Sequence, residues 1–537
     1  MYAFLRRQLE EKCISLQLET TPAEPATSMN ISPKFLKVLQ LSFEVKYMDE
    51  DITLAEKRDK IKTIEERMGV LLYHNVIQRD IPTDPKFDDI VALATAYYNV
   101  GLKYVISTDT DDLSNAVQCF SRCVDILKEK LSDRKAILTS IGALNELYSV
   151  YEKMDKKTDS ALNTLNRALK LYMTYTQEEN YSDPIHIESL VGIKEEESNP
   201  KIILNTLHHT TLQNLRLQYL TRPIDKHLFV QYLNKELNTR LTDIVSNETK
   251  FDEKCLDMAL TLFELSRYFL ANGRFTEAKS HIAIGDYVIF RLAAELLKTE
   301  EKERRRKKGK KASSHLRKSL NYANAVNAKS WGSYGVSLLR FWMEQFSQNK
   351  GNHKSPEIQD LMSKLEIKSE KSNLIFSDLL EKELEGVIIQ FTETCILNLA
   401  DAKSVFIKTL RQFEKAKEHF TPDTDTVTYA NIILEISDTY KYLAGFEEQR
   451  DNQIKLHKGR VKLLEDARKK FPTIIKDDTE LQIYKRIWYE VVTSCSMVMD
   501  LMVEKTYYDR SFKEVSTKAD QYMKMLAENS GFYLNAV

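Results

Sequence analysis

Between positions 256 and 297 the chain reads LDMALTLFELSRYFLANGRFTEAKSHIAIGDYVIFRLAAELL, with apolar residues returning at helical spacing on either side of a glycine-bearing break. That period belongs to amphipathic helices, so the segment is predicted as helix, tight turn, helix. Ala278, Ile282 and Gly285 form a small, large, small series at the spacing by which tetratricopeptide units let two helices cross closely. Leu265, Ser266 and Phe269 supply the matching set on the first helix. Gly273 occupies the turn position that calls for a residue tolerant of positive φ.

Two further copies lie upstream. In DDLSNAVQCFSRCVDILKEKL the series is Ala116, Phe120 and Cys123, and in TDSALNTLNRALKLYMTY it is Ala161, Leu165 and Ala168. Each follows a long apolar-periodic helix. More degenerate helix pairs are predicted at 201–245, 314–347 with 372–397, 399–420 with 426–447, and 449–470 with 478–505, before a last helix near 508–529. A hairpin of this kind cannot bury its apolar stripe alone, so the units are expected to stack. The fold expected is all-α, a right-handed α-solenoid of tetratricopeptide-like helix pairs. Polar breaks at 19–33, 177–200, 301–314 and 348–357 carry Pro, Gly, Ser or charge runs. They suggest N-terminal helices and linkers over 1–84 and repeats over 85–300. A charged loop, long linking helix and linker over 301–371 would precede C-terminal repeats over 372–537.

Composition agrees with the periodicity: only 14 Gly and 11 Pro interrupt the chain, so helix can run nearly throughout. Basic and acidic residues balance at 78 against 79, and no global field points toward nucleic acid or an anionic membrane. The six cysteines, Cys13, Cys119, Cys123, Cys255, Cys395 and Cys495, show no CxxC spacing, and no HExxH or Cys/His grouping occurs. Cys119 and Cys123 share a helix face at i, i+4 and are read as small core residues in preference to metal ligands. No signal sequence opens the chain and no long uncharged apolar run occurs, which predicts a cytoplasmic protein. Phosphate-cradling glycine loops and the GxSxG elbow are missing. The reading is a binding protein, not an enzyme, with no cofactor, metal, nucleic acid or small-molecule substrate.

Unit geometry directs Leu260, Phe263 and Arg267 toward an inner face, where an aromatic and an arginine are the residue types that anchor interfaces. Phe263 has a second reading, packing against the neighbouring hairpin. In the preceding pair, Asn214, Leu217 and Gln218 are expected on the helix lining the same groove. The basic run at 304–311 reads as a solvated loop in preference to a nucleic-acid patch, because no aromatic residues interleave it.

The segment AKEHFTPDTDTVTYANIILEISDTYKYLAGFEEQRDNQIKLHKGRVKLLEDARKKF at 416–471 resembles the C-terminal region of the KIF-binding protein family, kinesin-binding tetratricopeptide proteins. Phe446 and Glu447, then Lys455, His457, Lys458, Arg460, Leu464 and Glu465, carry the match. Segments 274–290 and 161–175 are similar to the family's repeats in the same order. The resemblance implies a cytoplasmic, cytoskeleton-associated inhibitor and transport regulator that clasps kinesin motor domains on its concave face and covers their microtubule-binding surface. A basic track-binding surface calls for acidic or polar groups, and Glu264 beside Phe263 and Arg267 is the candidate. Lys455, His457, Lys458 and Arg460 are either a wet helix face or part of the docking surface. A generic tetratricopeptide scaffold or co-chaperone holding a peptide segment is the alternative reading.

Overall fold

The computed structural model describes residues 29–48, 54–74, 86–107, 109–154, 159–177, 181–190, 199–221, 227–246, 254–306, 311–350, 391, 395–471, 477–509 and 512–535. Among the described residues the secondary structure is helical and no strand occurs. The chain divides into two units, residues 2–233 and 234–537.

The N-terminal unit contains α1 (Pro33–Lys46), α2 (Leu54–Leu72), α3 (Phe87–Val105), α4 (Thr110–Leu127), α5 (Ile137–Lys153), α6 (Asp159–Tyr175), a single turn α7 (Ile187–Leu190) and α8 (Pro200–Thr221). Helix α9 (His227–Ser246) carries the division between the units. Neighbours in sequence pack on one another, most extensively α3 with α4, and α1 lies against α3. The start of α1 is tied down by Asp89, whose carboxylate accepts from Ser32 N at 2.6 Å and Ser32 Oγ at 2.7 Å. The expected series Ala116, Phe120, Cys123 and Ala161, Leu165, Ala168 are all fully buried. Gly101 explains one close crossing. A Cβ there would sit 2.7 Å from Phe120, so only hydrogen leaves room for the phenyl ring.

The C-terminal unit contains α10 (Lys254–Ala271), α11 (Phe275–Arg306), α12 (Lys311–Lys350), α13 (Leu399–Lys417), α14 (Thr426–Phe446), α15 (Arg450–Arg468), α16 (Asp478–Asp509) and α17 (Phe512–Asn535). Contacts are densest between α10 and α11 and between α12 and α13. Ala278 and Ile282 are inaccessible, as are Leu265, Ser266 and Phe269. Gly273 closes the turn between α10 and α11 at φ 69°, a left-handed conformation that a Cβ disfavours. Polar caps set several helix starts: Asn398 accepts from Asp401 N at 3.0 Å and Asp425 from Thr428 N at 2.9 Å. Of the helix expected at 372–397, positions 372–390 and 392–394 lie outside the described residues, and 391 and 395–397 are not helical.

Cys119 and Cys123 are buried, and burial pushes the Cys119 thiol up to about 12. A protonated, sequestered thiol is a poor metal ligand and a poor nucleophile. No helix among the described residues is long and apolar enough to cross a membrane.

Candidate partner-binding site

The expected contact residues fall into exposed and buried sets. In the N-terminal unit, Leu217 is exposed and Asn214 half-buried, whereas Gln218 is buried. Its amide donates to Tyr148 Oη at 2.6 Å and approaches Glu152 at 3.3 Å, so Gln218 cross-links α8 to α5 and is not a docking group.

In the C-terminal unit, Arg267 is exposed, and Leu260 and Glu264 are half-buried. The expectation that Phe263 projects from an inner face gives way to its second reading, because its side chain is only 1% exposed. Its ring fills the space that a side chain at Gly285 would otherwise take. The cause is the α10–α11 crossing, where the glycine opens a slot deep enough for a phenyl.

Lys455 is exposed and Lys458 half-buried on α15, while His457 and Arg460 point into the core. Arg460 Nε donates to Ser437 Oγ at 2.7 Å and its guanidinium pairs with Glu490 of α16. Burial, then the charges of Arg460 and Lys441, depress His457 to about 4, which leaves its imidazole neutral at pH 7. Arg460 holds α14, α15 and α16 together, and both residues are removed from any wet face. The loop expected over the basic run at 304–311 gives way to helix at both ends, since α11 continues through Arg306 and α12 begins at Lys311; positions 307–310 and the side chains of the run lie outside the described residues.

Around Arg267 a cleft of about 420 Å³ opens between the α10–α11 turn, α12 and α14. Arg340, Glu344, Ser333 and Glu435 line it. Ser333 Oγ donates to Glu435, and Arg340 Nε pairs with Glu344 at 2.9 Å one turn along α12. Burial raises the Glu435 carboxyl above the usual range, against the nearby charge of Lys329, the Ser333 hydroxyl and Arg267. Lys329 is displaced the other way: burial lowers it, Glu435 opposes the fall and Arg267 adds to it. Asp438, one turn beyond Glu435, is raised by burial and then by Glu490, with Lys441, Arg460 and Arg486 acting in opposition.

Charges of both signs, half removed from water, therefore line this face, and such a surface discriminates among charged partners. Arg267 and Glu264 are the residues that sequence periodicity reaches here. Glu435, Lys329 and Arg340 carry no local signal and meet Arg267 only through folding. Among the described residues no cluster of His, Cys, Asp or Glu could hold a metal ion.

A family model described as KIF-1 binding protein C terminal matches residues 256–536. The KIF-binding protein of Drosophila melanogaster is 23% identical over 401 residues, covering 74% of this chain and 62% of the relative. The Gallus gallus KIF-binding protein is 24% identical over 432 residues, covering 77% and 67%, and the Homo sapiens protein 21% over 434 residues, covering 79% and 66%. The aligned part of this chain thus spans about 62% of the length of the fly protein. Because the match at 256–536 takes in more than half of the 537 residues, this chain belongs to the KIF-1 binding protein C-terminal family.

Proposed function

We propose that this chain binds kinesin motor domains and covers their microtubule-binding surface, acting as an adaptor and inhibitor in microtubule-based transport. The observation that carries this reading is that relatives aligned over about three quarters of the chain are named KIF-binding protein. Within each unit we take the helix pairs as tetratricopeptide-like repeats of a right-handed α-solenoid, a reading supported by the buried small-residue series at Ala116, Ala161 and Ala278. The protein's work in this account is binding without catalysis, in the cytoplasm and alongside the cytoskeleton.

A motor's track-binding face is basic because tubulin is acidic. Glu264, Glu344, Glu435 and Asp438 offer the complementary charge, with Arg267 and Arg340 setting register. Asn214, Leu217 and Leu260, and the exposed Lys455 with Lys458, are proposed as outer contacts.

The test is a pull-down of purified motor domains by the full chain, followed by competition with microtubules. The natural chain should capture a motor, and microtubules should displace it. Exchanging the charges, Glu264→Lys with Arg267→Glu, should weaken the complex by about 1–3 kcal/mol while leaving the melting temperature unchanged. A chain that captures no motor domain but retains a peptide tail would favour the scaffold or co-chaperone reading instead.

A further inference from the structure

Helix α12 presents asparagines one turn apart toward α11 and α13. Asn324 and Asn327 line a second cleft of the C-terminal unit, of about 640 Å³, with Asp286, Lys415 and Glu418. That volume is within the range of about 300–1,000 Å³ usual for small-ligand sites.

Asn327 is more than nine-tenths buried, at 8% exposure. Its Nδ2 donates to Asp286 Oδ1 at 2.8 Å, and this contact fixes which way the amide lies, since the reversed amide would set oxygen against oxygen. Its Oδ1 is then a buried acceptor with no donor. A buried acceptor in that condition is destabilising and invites a ligand N–H. Asn324 Nδ2 is likewise used internally, donating to Leu320 O at 3.0 Å, which turns its carbonyl oxygen over to solvent or ligand.

The charges point the same way. Asp286 and Glu418 outweigh Lys415 in the lining. Burial raises the Asp286 carboxyl, and the Asn327 amide and the Lys415 charge only partly offset this, so an added cation is favoured there. The cleft therefore brings together the Asp286 and Glu418 carboxylates, the unpartnered Asn327 Oδ1 and Trp331 Nε1–H, and the methyl groups of Ala325 and Ala328. Two carboxylates against one lysine disfavour an anion. An ammonium carries three donors and holds its water tightly, whereas a guanidinium carries five in a plane and is more weakly hydrated.

We propose that the cleft between α11, α12 and α13 receives an arginine side chain presented by a partner protein, its guanidinium bridging the Asp286 carboxylate and Asn327 Oδ1. For the source of that arginine the inference rests on the motor-binding reading, since a track-binding face is rich in basic side chains.

The experiment titrates the full chain with the blocked pentapeptide Gly-Ser-Arg-Ser-Gly and with its lysine counterpart, read by saturation-transfer NMR. The arginine peptide should bind saturably and about fivefold or more tighter than the lysine peptide, the margin of the extra hydrogen bonds. Asn327→Leu and Asp286→Asn should each weaken it by about tenfold or more. Asn324→Asp changes an exposed residue and should tighten it by about threefold through added charge. Equal binding of the two peptides, no saturable binding of the arginine peptide, or indifference to Asn324→Asp would overturn the assignment. A chain that captures motor domains yet ignores the arginine peptide sinks only the cleft. One that binds the peptide yet captures no motor sinks only the motor reading.

Discussion

Phe263 and Gly285 meet where α10 crosses α11, the phenyl ring occupying the space in which any Cβ at position 285 would lie. The ring is inaccessible to solvent, and the crossing has no slack to absorb a methyl group. Gly332 stands in the same relation to Phe413 where α12 meets α13, with a Cβ there placed 2.6 Å from the ring.

Gly285→Ala should accordingly lower stability by about 1–3 kcal/mol, the usual result of overpacking a filled core, despite the better helix propensity of alanine. Gly69 of α2 supplies the opposite sign. Nothing lies within 4 Å of a Cβ at that position, so Gly69→Ala should stabilise by about 0.5–1 kcal/mol. Urea midpoints of the two variants measure both, and a Gly285→Ala midpoint at or above that of the natural chain would mean that the crossing is not tight.

Ala278→Asp should loosen the α10–α11 hairpin by a few kcal/mol, because the position is 0% exposed and a carboxylate there is both too large and desolvated. A melting temperature equal to that of the natural chain would contradict this packing.

Arg460 and Lys458 differ by two positions on α15 and should behave oppositely. Arg460→Met leaves Glu490 without its partner and Ser437 without its donor, and a loss of about 3 kcal/mol is expected for breaking a buried pair from one side. Lys458→Met should change stability by less than about 0.5 kcal/mol. Denaturant titrations of both decide whether the basic cluster of α15 is core or surface.

Acid sensitivity follows from two histidines. His281 is fully buried, its Nδ1 donating to Glu277 O at 2.7 Å, and burial, outweighing that bond, lowers it to about 4. His457 stands at about 4 for the same leading reason. Both folded values lie below the unfolded value, so the unfolded chain binds protons first. Stability is complete above the unfolded value of about 6.5 and is lost as pH falls toward 4. At pH 5 each histidine should have removed about 2 kcal/mol. His457→Gln should flatten the fall in the urea midpoint between pH 7 and 5, and an equally steep fall in that variant would assign the acid loss to other groups.

Helix content and the hairpin at 256–297 were legible in the chain because they are local properties. Apolar spacing, scarce Gly and Pro, and Gly273 in its left-handed turn act over a few residues and need no partner to be recognised. The charged cleft was only half legible: Glu264 and Arg267 emerge from the period of α10, but Glu435 comes from 168 positions beyond Arg267 in the numbering and acquires its raised carboxyl from surroundings that only folding supplies. The same limit governs α15. Its sequence marks Lys455, His457, Lys458 and Arg460 as one basic cluster, and periodicity treats an arginine as wet. The tertiary structure separates them, because Ser437 and Glu490 happen to stand where Arg460 can be buried with its donors engaged. Local sequence determined which segments are helices and which stripe is apolar. Which polar groups could be buried was decided by compensation between distant residues, since a charge leaves water only where the fold has already placed its partner.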